Sequence, residues 1–314
     1  MSFGDLKTTE GLWFPADSPA VLRAEDRLFC VSKSILAARS TVFQSMFEFP
    51  QPVDTTGAEI MDGKPVIYLY DKAADVEQFL RAIFDSNYFM PPPAEIDFYA
   101  VLGILRLSHK YDVAYLFKRA ILHLETVYPI ALERYHPKSN TVQYEDGDVA
   151  LDLIAIPIFQ EVGATWLLPF AFYSAGTYSA RDFFEAGEAW EALSGGNKQS
   201  CLLLAPQHVR STISINTFLT TISTCSVATN CNTAKLAFVR SHLTHCPTYR
   251  TQHPLAIWRQ SSWDRLEELL CKDCFSRARD EYAHANAEIW DQLPANCGLE
   301  GWDALMEQRR VVMA

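Results

Sequence analysis

The 314-residue chain has no apolar run approaching the roughly 20 residues needed to cross a bilayer. Basic side chains are scarce as well. Lys and Arg number 27 against 38 Asp and Glu, leaving a formal charge of −11 and a pI near 5.2. That balance argues against broad phosphate-backbone binding, which rests on clustered cations. The opening stretch MSFGDLKTTEGLWF carries acidic residues and no apolar core segment, so a secretory signal is not expected. There is no internal repeat and no low-complexity tract. No G-x-S-x-G elbow appears, and the glycines of LSGGN (193–197) lack the Lys-Ser/Thr that would make a phosphate cradle. Glu185, Glu188 and Glu191 read as one face of a solvated surface helix rather than an acid–base pair. The chain is therefore expected to be non-enzymatic, without nucleic acid or membrane as partner, and to reside in the cytosol or nucleus.

What is present is an ordinary globular composition, 49% apolar and 21% charged, long enough for about two domains. Residues 1–14 read as a flexible tail. In LFCVSKSILAARSTVFQSMF (28–47) the serines act as punctuation. Leu28 to Val31 is an apolar strand entered from the charged corner Glu25–Arg27. Ser32 caps a short helix with Ile35 and Leu36, and Ser40 caps the next, which carries Val42, Phe43, Met46 and Phe47. Pro50 and Pro52 end it. GKPVIYLYD (63–71) reads as a second strand, with Asp71 capping a helix striped by Val76, Phe79, Leu80, Ile83 and Phe84. MPPP (90–93) is an extended connector. A helix from about Glu95 buries Phe98, Val101, Leu102 and Leu105, the polar break HKYD (109–112) follows, and another helix presents Val113, Leu116, Phe117, Ala120, Ile121 and Leu124. His109 and His123 read as packing or capping residues. The polar stretch HPKSNTVQYEDGD (136–148) marks a linker over 129–148, and residues 149–314 show helical segments with little strand signal. The fold class is α+β followed by an α-helical domain.

The 28–47 stretch, the Val66–Tyr70 strand, the 76–84 stripe and the helices around HKYDV (109–113) together resemble the BTB/POZ family over residues 15–128. The histidine common before the family's lysine is Ser32 here. A BTB unit followed by helices, without kelch blades or zinc fingers, is most similar to the fungal members. The resemblance implies a protein-interaction module that homodimerises, and partners of the cullin or corepressor class. No cullin-contact motif can be carried over residue by residue. Contact residues for the dimer are expected on the first helix and the strand before it.

In the second region TWLLPFAFY (165–173) reads as a buried helix that kinks or ends near Pro169. Trp258, Trp263, Trp290 and Trp302 suit a core, with a partner groove as the competing reading. The eight cysteines, without an export signal, point to reduced thiols or metal ligands rather than a disulfide framework. CKDC (271–274) supplies a C-x-x-C pair, and Cys225 with Cys231 supplies a looser one, while His242, His245 and Cys246 cluster between them. The leading reading of these thiols is as small buried packing residues, with no cofactor expected; Cys225, Cys231, Cys271 and Cys274 are the candidate ligands of the competing structural-zinc reading, and a redox pair is the third. The C-x-x-C, Ile289-Trp290 and Leu293-Pro294 also resemble the tails of fungal BTB proteins.

Overall fold

The computed structural model describes residues 6–15, 19–48, 60–61, 63–135, 141–144, 150–244 and 253–314. They fall into two compact units, the first ending its main stretch at Val127 and the second resuming from Tyr128.

The first unit is built on a five-stranded sheet of order β1-β3-β2-β5-β4. Its strands are β1 (Lys7–Trp13), β2 (Pro19–Ala24), β3 (Arg27–Ser32), β4 (Ile60–Met61) and β5 (Lys64–Tyr68). β2 and β3 form an antiparallel hairpin with Leu22 opposite Phe29, and Glu25 takes a positive φ of 49° in its tight turn. β1 lies parallel to β3, so the expected tail over 1–14 contains an edge strand from Lys7 to Trp13. Its polar composition hid it, because an edge strand can leave most of its side chains in solvent: here Thr9 and Leu12 are the buried ones.

Among the described residues the unit also has five helices: α1 (Lys33–Arg39), α2 (Thr41–Glu48), α3 (Ala73–Phe84), α4 (Phe98–Lys110) and α5 (Ala114–Val127). The serine caps are as expected. Ser32 Oγ accepts from Ile35 N–H, and Ser40 Oγ accepts from Phe43 N–H at 3.0 Å. The two residues Pro50 and Pro52 lie outside the described residues. In α2 only Phe43 is fully buried, stacked on Tyr111 with ring centroids 4.6 Å apart. Asp71 does not cap α3. Glu25 takes that place, its carboxylate accepting from Ala73 N–H at 2.9 Å, while Asp71 holds Lys110 Nζ and Tyr111 OH, both at 2.6 Å. The Glu25 carboxylate comes from the hairpin turn, which local spacing could not reveal. A short strand, β6 (Ile96–Asp97), precedes α4, and Asp97 caps that helix through Ala100 N–H. β6 pairs in parallel with β7 (Val142–Gln143). The expected linker over 129–148 is thus corrected where it is described: it carries a 3-10 turn at Leu132–Arg134 and a strand whose Val142 is buried. Residues 136–140 and 145–148 of that linker lie outside the described residues.

The second unit is helical, as expected: α6 (Ala150–Glu161), α7 (Leu168–Ala175), α8 (Ala180–Glu185), α9 (Glu188–Glu191), α10 (Gly195–Ile215), α11 (Ala228–Thr244), α12 (Gln260–Leu269), α13 (Lys272–Asn296) and α14 (Trp302–Met313). Pro169 starts α7 rather than ending a helix; in the first turn its missing N–H costs no hydrogen bond. α7 is buried on every side, with Phe170 against Trp290 of α13 and Tyr173 against His208 of α10. Gly187, at φ 54°, splits the acidic stretch, so Glu185 and Glu188 sit on separate short helices, exposed as expected of solvated carboxylates. The glycines of LSGGN open α10 behind a Ser194 cap. Trp258, Trp263 and Trp290 are buried and Trp302 is half-buried, stacked on Trp290 at 5.2 Å, so the core reading of the tryptophans holds. No helix among the described residues is long and apolar enough to cross a membrane.

Candidate functional site

Two regions carry side chains whose exposure or clustering packing alone does not explain. The first is a face of the first unit. Along β3, Leu28, Phe29, Cys30 and Val31 are buried within the unit itself, so the strand before the first helix offers no contact surface. The first helix does. Leu36 points inward, whereas Ile35 is 43% exposed one turn before Arg39. The Arg39 guanidinium lies 5.5 Å from the ring centroid of the exposed Tyr115 on α5, and Arg119 approaches the same ring at 5.9 Å. Thr41 and Asp112 join the start of α2 to the α4–α5 turn by a side-chain hydrogen bond, and Val42 beside them is exposed. Ile35, Val42, Arg39 and Tyr115 therefore share one side of the unit. Tyrosine and arginine are enriched at the centres of protein interfaces, where surrounding apolar side chains help exclude water.

His109 is exposed and tilts against the Phe117 ring, whereas His123 is interior. His123 Nε2 lies 2.8 Å from the Met90 carbonyl and Nδ1 lies 2.9 Å from Thr141 Oγ1. The carbonyl can only accept, so Nε2 carries the proton and Nδ1 accepts from Thr141. Burial lowers the imidazole pKa, which fits a neutral packing residue.

The second region is a cysteine cluster in the helical unit. Cys225 lies in the turn ahead of α11 and Cys231 in the first turn of that helix. Cys271 is the N-cap of α13, and Cys274 is in its first turn, 2% exposed. The four Sγ atoms all lie within 4.8 Å of one another, and Cys225 and Cys231 are 3.7 Å apart. The fold thus unites the C-x-x-C with the looser C-x5-C pair. All the described cysteines are free thiols. Main-chain amides face the sulfurs: the N–H groups of Val227, Cys271 and Cys274 donate to Cys225, Cys231 and Cys271 respectively. The Cys274 N–H lowers the Cys271 thiol to about 7, whereas desolvation with the neighbouring thiols raises Cys225 to about 12. One sulfur of the group readily ionises, and each further thiolate there is opposed by the first. Cys201 and Cys297 lie outside the cluster, and burial pushes each to about 12, as inert interior thiols. His245 and Cys246 lie outside the described residues, as does the side chain of His242.

Comparison with known families agrees with the first unit. Residues 17–126 match the family model of the BTB/POZ domain. The chain carries that domain, a protein-interaction module, ahead of its helical region. No curated protein shows a sequence match to the chain.

Proposed function

We propose that the protein is a homodimeric interaction subunit that self-associates through its BTB/POZ unit and serves as a substrate adaptor of a cullin-type ubiquitin ligase, its helical unit receiving the client. The observation that carries the reading is the BTB/POZ match over 17–126 together with the apolar and arginine-bearing face on α1, α2 and α5. Twofold pairs are the commonest closed oligomers, and such a pair would bury the same patch, around the exposed Ile35 and Val42, on both copies. Free thiols throughout the described residues suit the cytosol or nucleus. The acidic balance disfavours a direct DNA contact.

The test has two arms. Replacing the exposed pair, Ile35→Lys with Val42→Lys, converts a dimer into a monomer at micromolar concentration while helical content stays unchanged. A purified cullin N-terminal domain is retained by the immobilised full chain at the level of a known adaptor. Self-association without cullin retention makes the protein a scaffold or transcriptional co-regulator instead, recruiting a corepressor through the same dimer.

A further inference from the structure

We infer that Cys225, Cys231, Cys271 and Cys274 form a closed tetrathiolate site for one Zn²⁺ ion that ties the entry of α11 to the start of α13. The geometry is that of a coordination tetrahedron already assembled. With a zinc–sulfur bond of about 2.3 Å, the edge of a tetrahedron of sulfurs is about 3.8 Å. The Cys225–Cys231 edge is 3.7 Å and every edge is within 4.8 Å. Contraction by about an ångström at most closes the longest edge onto a metal. Four protein sulfurs leave no position for water or substrate, so the site is structural rather than catalytic. Soft thiolates in a tetrahedral set select zinc over the hard cations that prefer oxygen.

The surroundings fit a group carrying four thiolates around a dication. Two helices of 17 and 25 residues begin at the site, each directing the positive end of its dipole toward the sulfurs. Three amide N–H groups donate to the sulfurs, the outer contacts that orient ligands and spread their charge. The turn that carries Cys225 is itself held in place. Ser223 N–H donates to Asn232 Oδ1 at 2.8 Å, and the buried Lys235 donates from Nζ to the Thr221 carbonyl at 3.0 Å. Arg277, one turn beyond Cys274 on α13, reaches Thr224 Oγ1 at 3.5 Å. These contacts fix the loose C-x5-C half, which local spacing alone leaves undetermined.

As one Zn²⁺ enters, the four sulfurs end as thiolates and every proton they still carry is released to solvent, four from the fully protonated set, with no change of oxidation state. This site stands apart from self-association, and its test does not depend on the oligomeric state. The full chain, purified without chelator, is expected to contain one zinc per chain by elemental analysis after desalting. Exchange with Co²⁺ is expected to give the intense visible and thiolate charge-transfer bands of a tetrahedral cobalt thiolate. Cys271→Ser with Cys274→Ser reduces bound zinc at least tenfold, whereas Cys297→Ser, outside the cluster, leaves it at one. Should the double variant fail to fold, titration of the native chain with a mercurial decides: zinc appears in step with the sulfurs modified. Less than a tenth of a zinc per chain, iron in its place, or a Cys225–Cys231 disulfide in non-reducing peptide mapping overturns the assignment.

Discussion

Ser40 serves two elements through one hydroxyl. Its Oγ accepts from Phe43 N–H at the start of α2 and donates to the Tyr111 carbonyl at 2.5 Å, in a fully buried position. Ser40→Ala removes the cap and strands a buried carbonyl, so it should cost about 1–3 kcal/mol in denaturant unfolding. Ser32→Ala, whose cap bond is 3.4 Å and exposed, should cost about 0.5 kcal/mol. Both caps were legible because a cap is a relation between neighbours three residues apart. Asp71 misled for the converse reason: the acceptor that serves Ala73 is Glu25, 48 residues away in sequence. His123 gives the first unit a pH dependence with a definite sign. Its folded pKa lies below the ordinary 6.5, so the native state resists a proton that the unfolded chain accepts. The stability it supplies is complete above 6.5 and is lost as pH falls from there toward the lowered folded value. His253, lowered by burial as well, gives the second unit a fall of the same sign. His123→Gln should therefore flatten the fall in melting temperature below 6.5 relative to the wild type, and an unchanged slope would rule His123 out.

Close approaches between helices decide the element scale. α7 ends at Gly176, where an added Cβ would stand 2.5 Å from Leu204 Cβ and 3.0 Å from His208 Cε1 on α10. Neither neighbour can withdraw, since both lie in the interior. Gly176→Ala should cost about 1–3 kcal/mol by overpacking, read from the denaturant midpoint. Gly196→Ala is the contrast. Its Cβ would meet only Ser194 Oγ at 4.0 Å, in the first turn of α10, so that variant should be neutral or slightly stabilising. The helices themselves were plain in sequence wherever one stripe faced one core, as in α3 and α5. They were harder to place where burial is complete. α7 has no polar face to set a period, and Pro169, which opens it, reads equally as an interruption. β7 was invisible because it has two residues and pairs with a strand far back along the chain, whereas β1, seven residues long, was hidden by the polar side chains of a sheet edge. The cysteines fall between these cases. Their residue types announced a metal set, but only the convergence of two helix starts brings Cys225 and Cys231 to Cys271 and Cys274.

At the scale of the molecule, the account rests on self-association of a BTB/POZ-bearing chain. Within the first unit, β3 and the inner faces of α3, α4 and α5 bury their apolar residues among themselves, so the fold is satisfied without a partner there. The exposed face around Ile35, Val42 and Tyr115 is a different matter, and a stable obligate pair would cover about 2,000 Å² or more. Tyr70, just beyond β5, is 93% exposed on the same unit. Sedimentation equilibrium of the full chain at micromolar concentration measures the matter directly. A particle of twice the 35.5 kDa chain mass is the result predicted, and a single species at 35.5 kDa across that range would contradict the account.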